Sequence, residues 1–163
     1  TALSNETCQL GIQSRNMVLY IAKKDSPQPI RLMSSVGKQL PLYCTGLGRA
    51  LLAYKSEEEI RSLFPEVLTA YTPHTIATIN DLLKELELTR QRGYAVEHEE
   101  TNLMVNCIAV SLDYNNAPIA ALSISIPTFR ISESKEKEAV QILWEAKQHI
   151  ETHFKMYGVD FGN

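Results

Sequence analysis

The stretch Cys107-Ile108-Ala109-Val110-Ser111-Leu112-Asp113-Tyr114-Asn115-Asn116-Ala117-Pro118-Ile119-Ala120-Ala121-Leu122-Ser123-Ile124-Ser125-Ile126 reads as two extended segments, 108–114 and 119–126, with a turn at Asn115-Asn116 between them. Side chains alternate across a strand with period two. Ile108, Val110 and Leu112 therefore share a face with each other, as do Ala120, Leu122, Ile124 and Ile126 on the second segment. The opposite faces hold Cys107, Ala109 and Ser111, then Ala121, Ser123 and Ser125. One side of this sheet is bulky and apolar, suited to packing under helices. The other is small and weakly polar. Water-facing sheet surfaces usually carry larger polar side chains, so two readings stay open: an ordinary solvent face, or the floor of a cavity where small residues leave room and hydroxyls supply hydrogen bonds.

Outward from this hairpin, the chain alternates strand-like and helix-like pieces. Residues 7–13 and 17–23 are short strand candidates around a loop at Ser14-Arg15-Asn16, and 30–36 is another after the break Ser26-Pro27-Gln28-Pro29. Thr45-Gly46-Leu47-Gly48 leads into Arg49-Ala50-Leu51-Leu52-Ala53, which is rich in helix formers. Ser56 followed by Glu57-Glu58-Glu59 is a capping-box start for a short helix through Phe64, stopped by Pro65. Residues 81–92 put Leu82, Leu83 and Leu86 on one face, with Gly93 at a helix C-cap position. Beyond a strand at 94–97 and the hairpin, Ser132 caps a long amphipathic helix in which Ala139, Leu143, Ala146, Ile150 and Phe154 recur at three- and four-residue steps. Strands at both ends with helices between them predict an α+β fold, an antiparallel sheet with helices packed on it, rather than regular βαβ alternation.

The 163 residues correspond to one domain, covering residues 1–163, with no repeat or linker to divide them. Sixteen Lys and Arg against nineteen Asp and Glu give a formal charge of −3, a poor match to nucleic-acid phosphates. No apolar run approaches the roughly 20 residues needed to cross a bilayer, so no membrane partner is expected. Cys8, Cys44 and Cys107 are widely separated and odd in number, which makes neither a disulfide framework nor a zinc site and points to a reducing cytoplasm.

Few residues carry chemistry by pattern. The Gly46–Leu47 peptide groups open a helix, where free N–H groups and the helix dipole can hold an anion, although an ordinary glycine turn has the same sequence. The segment lacks the Gly-Lys-Ser/Thr ending of a P-loop. Glu97-His98-Glu99-Glu100, read alone, is a solvated charge cluster. His149 and His153 share a helix face but lack the carboxylate motif of a metal helix. No nucleophile motif occurs, and no catalytic residue, metal or cofactor is expected.

Taken in order, Leu40-Pro41-Leu42-Tyr43-Cys44-Thr45-Gly46-Leu47-Gly48-Arg49-Ala50-Leu51-Leu52-Ala53, Tyr71-Thr72-Pro73-His74-Thr75, Arg92-Gly93-Tyr94-Ala95-Val96-Glu97-His98-Glu99-Glu100, Cys107-Ile108-Ala109 and Ala121-Leu122-Ser123-Ile124-Ser125-Ile126-Pro127-Thr128 make a chain that resembles the C-terminal effector-binding domain of IclR-type transcriptional regulators. The resemblance runs over nearly the whole sequence. It implies a GAF-like (profilin-like) antiparallel sheet with flanking helices and a pocket on one face for a small-molecule carboxylate effector, for instance a sugar-derived keto acid. It further implies a homodimer or tetramer, and operator DNA bound only through an N-terminal winged helix-turn-helix outside this sequence.

Position by position, the resemblance gives the Gly46 and Leu47 backbone to the effector's carboxylate and makes Cys107, Ser123 and Ser125 the sheet side of the pocket. Glu97 stands where the family usually has Asp, and would accept hydrogen bonds from effector hydroxyls. Tyr43 and Leu32 would add walls. Met104 stands where Gly is frequent, so the loop before Cys107 is expected to take another course. Arg49 replaces a frequent Lys, keeping the charge but changing its geometry. The alternative from another class is an enzyme on a GAF-type fold that uses a cysteine, such as a methionine sulfoxide reductase, which would need a resolving partner for Cys107.

Overall fold

A computed structural model describes residues 3–30 and 35–158. Strands β1 (Thr7–Ser14) and β2 (Met17–Lys24) form the first hairpin, and β3 (Gln39–Pro41) pairs with β2. Helices α1 (Gly46–Leu52), α2 (Glu57–Leu63) and α3 (Ile79–Arg92) follow. Then come β4 (Ala95–His98), β5 (Val105–Tyr114), β6 (Ala117–Pro127) and the long helix α4 (Glu133–Tyr157). The described strands make one antiparallel sheet in the order β3-β2-β1-β6-β5-β4.

Local sequence accounts for most of these boundaries. Asn115 and Asn116 both adopt left-handed backbone, at φ 53 and 62, which turns β5 tightly into β6. Ser56 and Glu59 complete the capping box of α2, and Gly93 ends α3 in the left-handed conformation at φ 78. The candidate strand 30–36 is different. Residues 31–34 of it lie outside the described residues, while Ile30, Ser35 and Val36 belong to no strand, and the chain rejoins the sheet only at Gln39. The two prolines at 27 and 29 cannot donate to a ladder, which suits a looping path there.

The face alternation read from the hairpin holds in three dimensions. Cys107 pairs with Ser125, Ala109 with Ser123 and Ser111 with Ala121, so the small residues of both strands fall together. On the bulky face, Ile108, Val110, Ile124 and Ile126 form a core with Ala139 and Leu143 of α4. Helices α1, α2 and α3 gather the other core, in which Leu47, Leu51, Leu52, Ile60, Leu82 and Leu86 meet Ala95, Ala109 and Ala121. The small face is therefore not a solvent face. Its short side chains let α1 come close: a Cβ built on Gly46 would sit 3.3 Å from Cys107 Cβ and 3.5 Å from Ala109 Cβ.

Candidate functional site

The site is built where the start of α1 crosses β5 and β6. Thr45 caps α1, its Oγ1 accepting from Gly48 N at 3.1 Å. That bond leaves the Gly46 and Leu47 N–H groups with no acceptor among the described residues. These two residues share a cavity with Glu97 of β4, Cys107 of β5 and Ser123 of β6. At about 30 Å³ the cavity has room for about one water molecule. Ser125 stands opposite Cys107 in the ladder, its Oγ 3.1 Å from the thiol, and donates to Gln9 Oε1 at 2.8 Å. Ser123 donates to the same Gln9 oxygen at 3.4 Å.

Glu97 is 1% exposed. One carboxylate oxygen accepts from Glu100 N at 2.5 Å and Thr101 N at 3.3 Å, closing the turn after β4. Burial nonetheless dominates and pushes its carboxyl up to about 7, against the lowering effect of those bonds and of the Cys107 side chain. Burial, reinforced by the negative charge of Glu97, also lifts the Cys107 thiol well above the ordinary range.

The segment carrying Glu97 is fastened from several directions. Arg49, 1% exposed on α1, donates from Nε to Tyr43 O at 3.0 Å, from one terminal nitrogen to Val96 O at 2.9 Å, and from the other to Glu100 Oε2 at 2.5 Å. Ile76 N adds a bond to Glu100 Oε2 at 3.1 Å. Thr72 and Thr75 donate their hydroxyls to the carbonyls of Glu99 and Glu100 at 2.7 and 2.6 Å. The reading of residues 97–100 as a solvated cluster is thus corrected: Glu97 and Glu100 are buried, because Arg49 and backbone N–H groups replace their water. Met104 adopts φ 67, so the expected change of course is not enforced; the chain holds a methionine in backbone that a glycine would enter freely.

Of the residues named from sequence, Gly46, Leu47, Glu97, Cys107 and Ser123 converge on one cavity, and Ser125 stands behind Cys107. Tyr43 does not reach it: its ring packs edge-on against Phe64 and its hydroxyl donates to Thr69 O at 2.7 Å. Leu32 lies outside the described residues. Sequence reading missed Gln9, Tyr20, Lys38, Thr101 and Asn102, which line the same cavity along with Leu40, Thr45 and Val105. Gln9 was within reach of the same alternation, since Thr7, Gln9 and Gly11 share a strand face and Gln9 pairs with Ser123. His149 and His153 meet with tilted rings, centroids 4.5 Å apart, on exposed turns of α4, and no described group of three or more His, Cys, Asp or Glu is placed to share a metal ion.

Residues 1–152 match the family described as bacterial transcriptional regulator IclR, C-terminal. The chain belongs to the IclR family. It is an effector-binding domain of that family's transcriptional regulators, in an α+β fold. It is 39% identical over 152 residues to the HTH-type transcriptional regulator KdgR of Dickeya chrysanthemi, covering 92% of this chain and 50% of that protein. Against the crystal structure of the C-terminal domain of E. coli KdgR it superposes with a TM-score of 0.84 at 34% identity, covering 97% of this chain and 91% of that one. An IclR homologue from Microbacterium hydrocarbonoxydans, solved in complex with 4-hydroxybenzoate, superposes with a TM-score of 0.82 at 25% identity, over 94% of this chain and 62% of that one. The chain spans about half the length of the Dickeya regulator. No helix among the described residues is long and apolar enough to cross a membrane. In IclR terms, the motif stretches that looked separate in sequence meet at one place, around Glu97–Glu100, where Arg49, Thr72 and Thr75 converge.

Proposed function

We propose that this domain senses a small hydroxylated carboxylate, a sugar-derived keto acid being one such molecule, and is not itself an enzyme. The observation that carries the reading is the convergence of the α1 start, Glu97, Cys107 and Ser123 on one cavity with the exposed ammonium of Lys38 at its wall. The Gly46 and Leu47 N–H groups would take the carboxylate, as oriented donors at a helix start do. Glu97 would accept from effector hydroxyls, and the Ser123 hydroxyl and Cys107 thiol, backed by Ser125, would face its middle. The relative solved with 4-hydroxybenzoate holds a carboxylate of another kind, which supports the class rather than the identity.

A cavity of about 30 Å³ cannot enclose such a molecule, so binding selects a more open arrangement of α1 and the sheet. That difference between states is what lets an effector act on a partner module. An N-terminal winged helix-turn-helix would supply the DNA contact, in keeping with the HTH designation of the Dickeya relative and its extra length. Self-association as a dimer or tetramer would match a two-fold operator, in the cytoplasm. The cysteine-enzyme alternative is disfavoured by the raised Cys107 thiol and by strand geometry. Cys8, one candidate resolving partner, pairs with Ile124 on the opposite face of the sheet from Cys107, and the other, Cys44, is buried, which pushes its thiol up to about 12.

A thermal-shift screen with small carboxylates and sugar acids tests the proposal. A specific stabilisation lost in Glu97→Ala and in Ser123→Ala supports the site. Stabilisation that survives both substitutions rejects it.

A further inference from the structure

Helix α1 divides the space over the small sheet face. Its first residues close the cavity described above, while Ala50, and Ala53 just past its end, line a second one of about 220 Å³ between α1, α3 and the strands β4 and β5. This second cavity is the roomier of the two, and none of the effector-site residues lines it. A closed apolar hole of about 150 Å³ in another protein suffices to hold benzene. Here Ala50, Ala53, Gly93 and Ala95 keep the walls short, and the tyrosines at 54 and 94 add aromatic surface.

The polar groups at its edge specify the occupant further. Tyr54 Oη donates to Asp113 Oδ2 at 2.5 Å and stands 3.0 Å from Ser111 Oγ. Lys147 Nζ donates to Asp113 Oδ2 at 2.7 Å and offsets its charge. With the Tyr54 proton given to Asp113, the Ser111 hydroxyl donates to the Tyr54 oxygen, which keeps one lone pair for a further donor; Asp113 Oδ1, of the same carboxylate, is buried with no partner among the described residues. Each nitrogen of the nearest guanidinium, Arg90, already donates, to Ala53 O, Lys55 O or Glu87, and the Glu87 carboxylate balances its charge.

We propose that this cavity is a second small-molecule site, for a compact uncharged aromatic molecule carrying one N–H or O–H donor. The donor meets Tyr54 Oη, the ring lies against the alanine walls, and the occupant braces the same helix that closes the effector site. Indole and phenol are the probes. Titrated into the ¹⁵N-labelled chain, indole is expected to bind saturably with a dissociation constant of about 1 mM or tighter, with amide shifts centred on Ala50, Ala53 and Ser111. Ala53→Leu fills the space and abolishes binding, Tyr54→Phe weakens it about tenfold, and Glu97→Ala leaves it unchanged. Absence of saturable binding overturns the proposal. So does undiminished affinity in either of the first two variants, or shifts centred on Gly46 and Cys107 that vanish in Glu97→Ala and place the probe in the effector site. Should Ala53→Leu not fold, the Tyr54→Phe arm alone decides.

Discussion

Arg49 is the perturbation on which the account of this fold depends most heavily. Its guanidinium joins α1 to the turn before it, to β4 and to Glu100 through bonds of 3.0, 2.9 and 2.5 Å, all within the protein. Arg49→Ala leaves Glu100, 5% exposed, as a buried carboxylate with the Ile76 N–H as its remaining donor. Stranding one partner of a buried ion pair costs about 3–5 kcal/mol, and the two abandoned carbonyls add about 1 kcal/mol more. For a chain of this length that corresponds to a fall in Tm of roughly 10–20 °C. Arg49→Lys keeps the charge but cannot span acceptors on three sides, and should lose about half as much. Arg49→Met with Glu100→Gln removes both charges while an amide oxygen still meets Ile76 N, so the double variant should recover to within about 2 kcal/mol of the parent. Urea unfolding followed by far-UV circular dichroism reads these four proteins together with the single variants Arg49→Met and Glu100→Gln. If Arg49→Ala lies within about 1 kcal/mol of the parent, or the double variant is as unstable as the two single changes summed, the buried pair does not hold the site as argued.

Other consequences follow from the same geometry. A Cβ on Gly48 would sit 2.1 Å from Leu42 O, so Gly48→Ala should destabilise by about 3 kcal/mol or more, whereas Gly46→Ala, with its nearest contact at 3.3 Å, should cost about 1 kcal/mol; equal effects in a denaturation series would contradict this. Burial raises the Glu97 carboxyl from 4.5 to about 7, so its contribution to stability is complete below pH 4.5 and is lost as pH rises through 7. Glu97→Gln cannot titrate, and its stability should gain on the parent by about 3 kcal/mol from pH 4.5 to about pH 8; parallel pH curves would refute the burial argument. Met104→Gly relieves a left-handed methionine and should stabilise by up to about 1 kcal/mol, with any loss of Tm counting against it.

Much of the architecture is legible in local pattern because its causes are local. Period-two alternation set the faces of β5 and β6, paired asparagines set their turn, and Ser56, Gly93 and Ser132 marked helix ends that the structure keeps. Glu97, Cys107 and Ser123 were within reach of a strand reading joined to a family resemblance. Tyr43 was not: its direction depends on α2, through Phe64, and on the Thr69 carbonyl, neither of which its neighbours in sequence reveal.

The sequence by itself determined which side of the central hairpin would be small and polar, since side-chain alternation is a property of a single strand. What that face is for could be decided only by tertiary structure. Whether alanines and serines meet water, a helix or a cavity depends on what crosses them, and here α1 does, with a cavity on either side of its close approach. The same holds for the charges at 97–100. Carboxylates read as solvated until a distant arginine and a set of backbone N–H groups are brought to them, because burial is a relation between parts of the chain far apart in sequence.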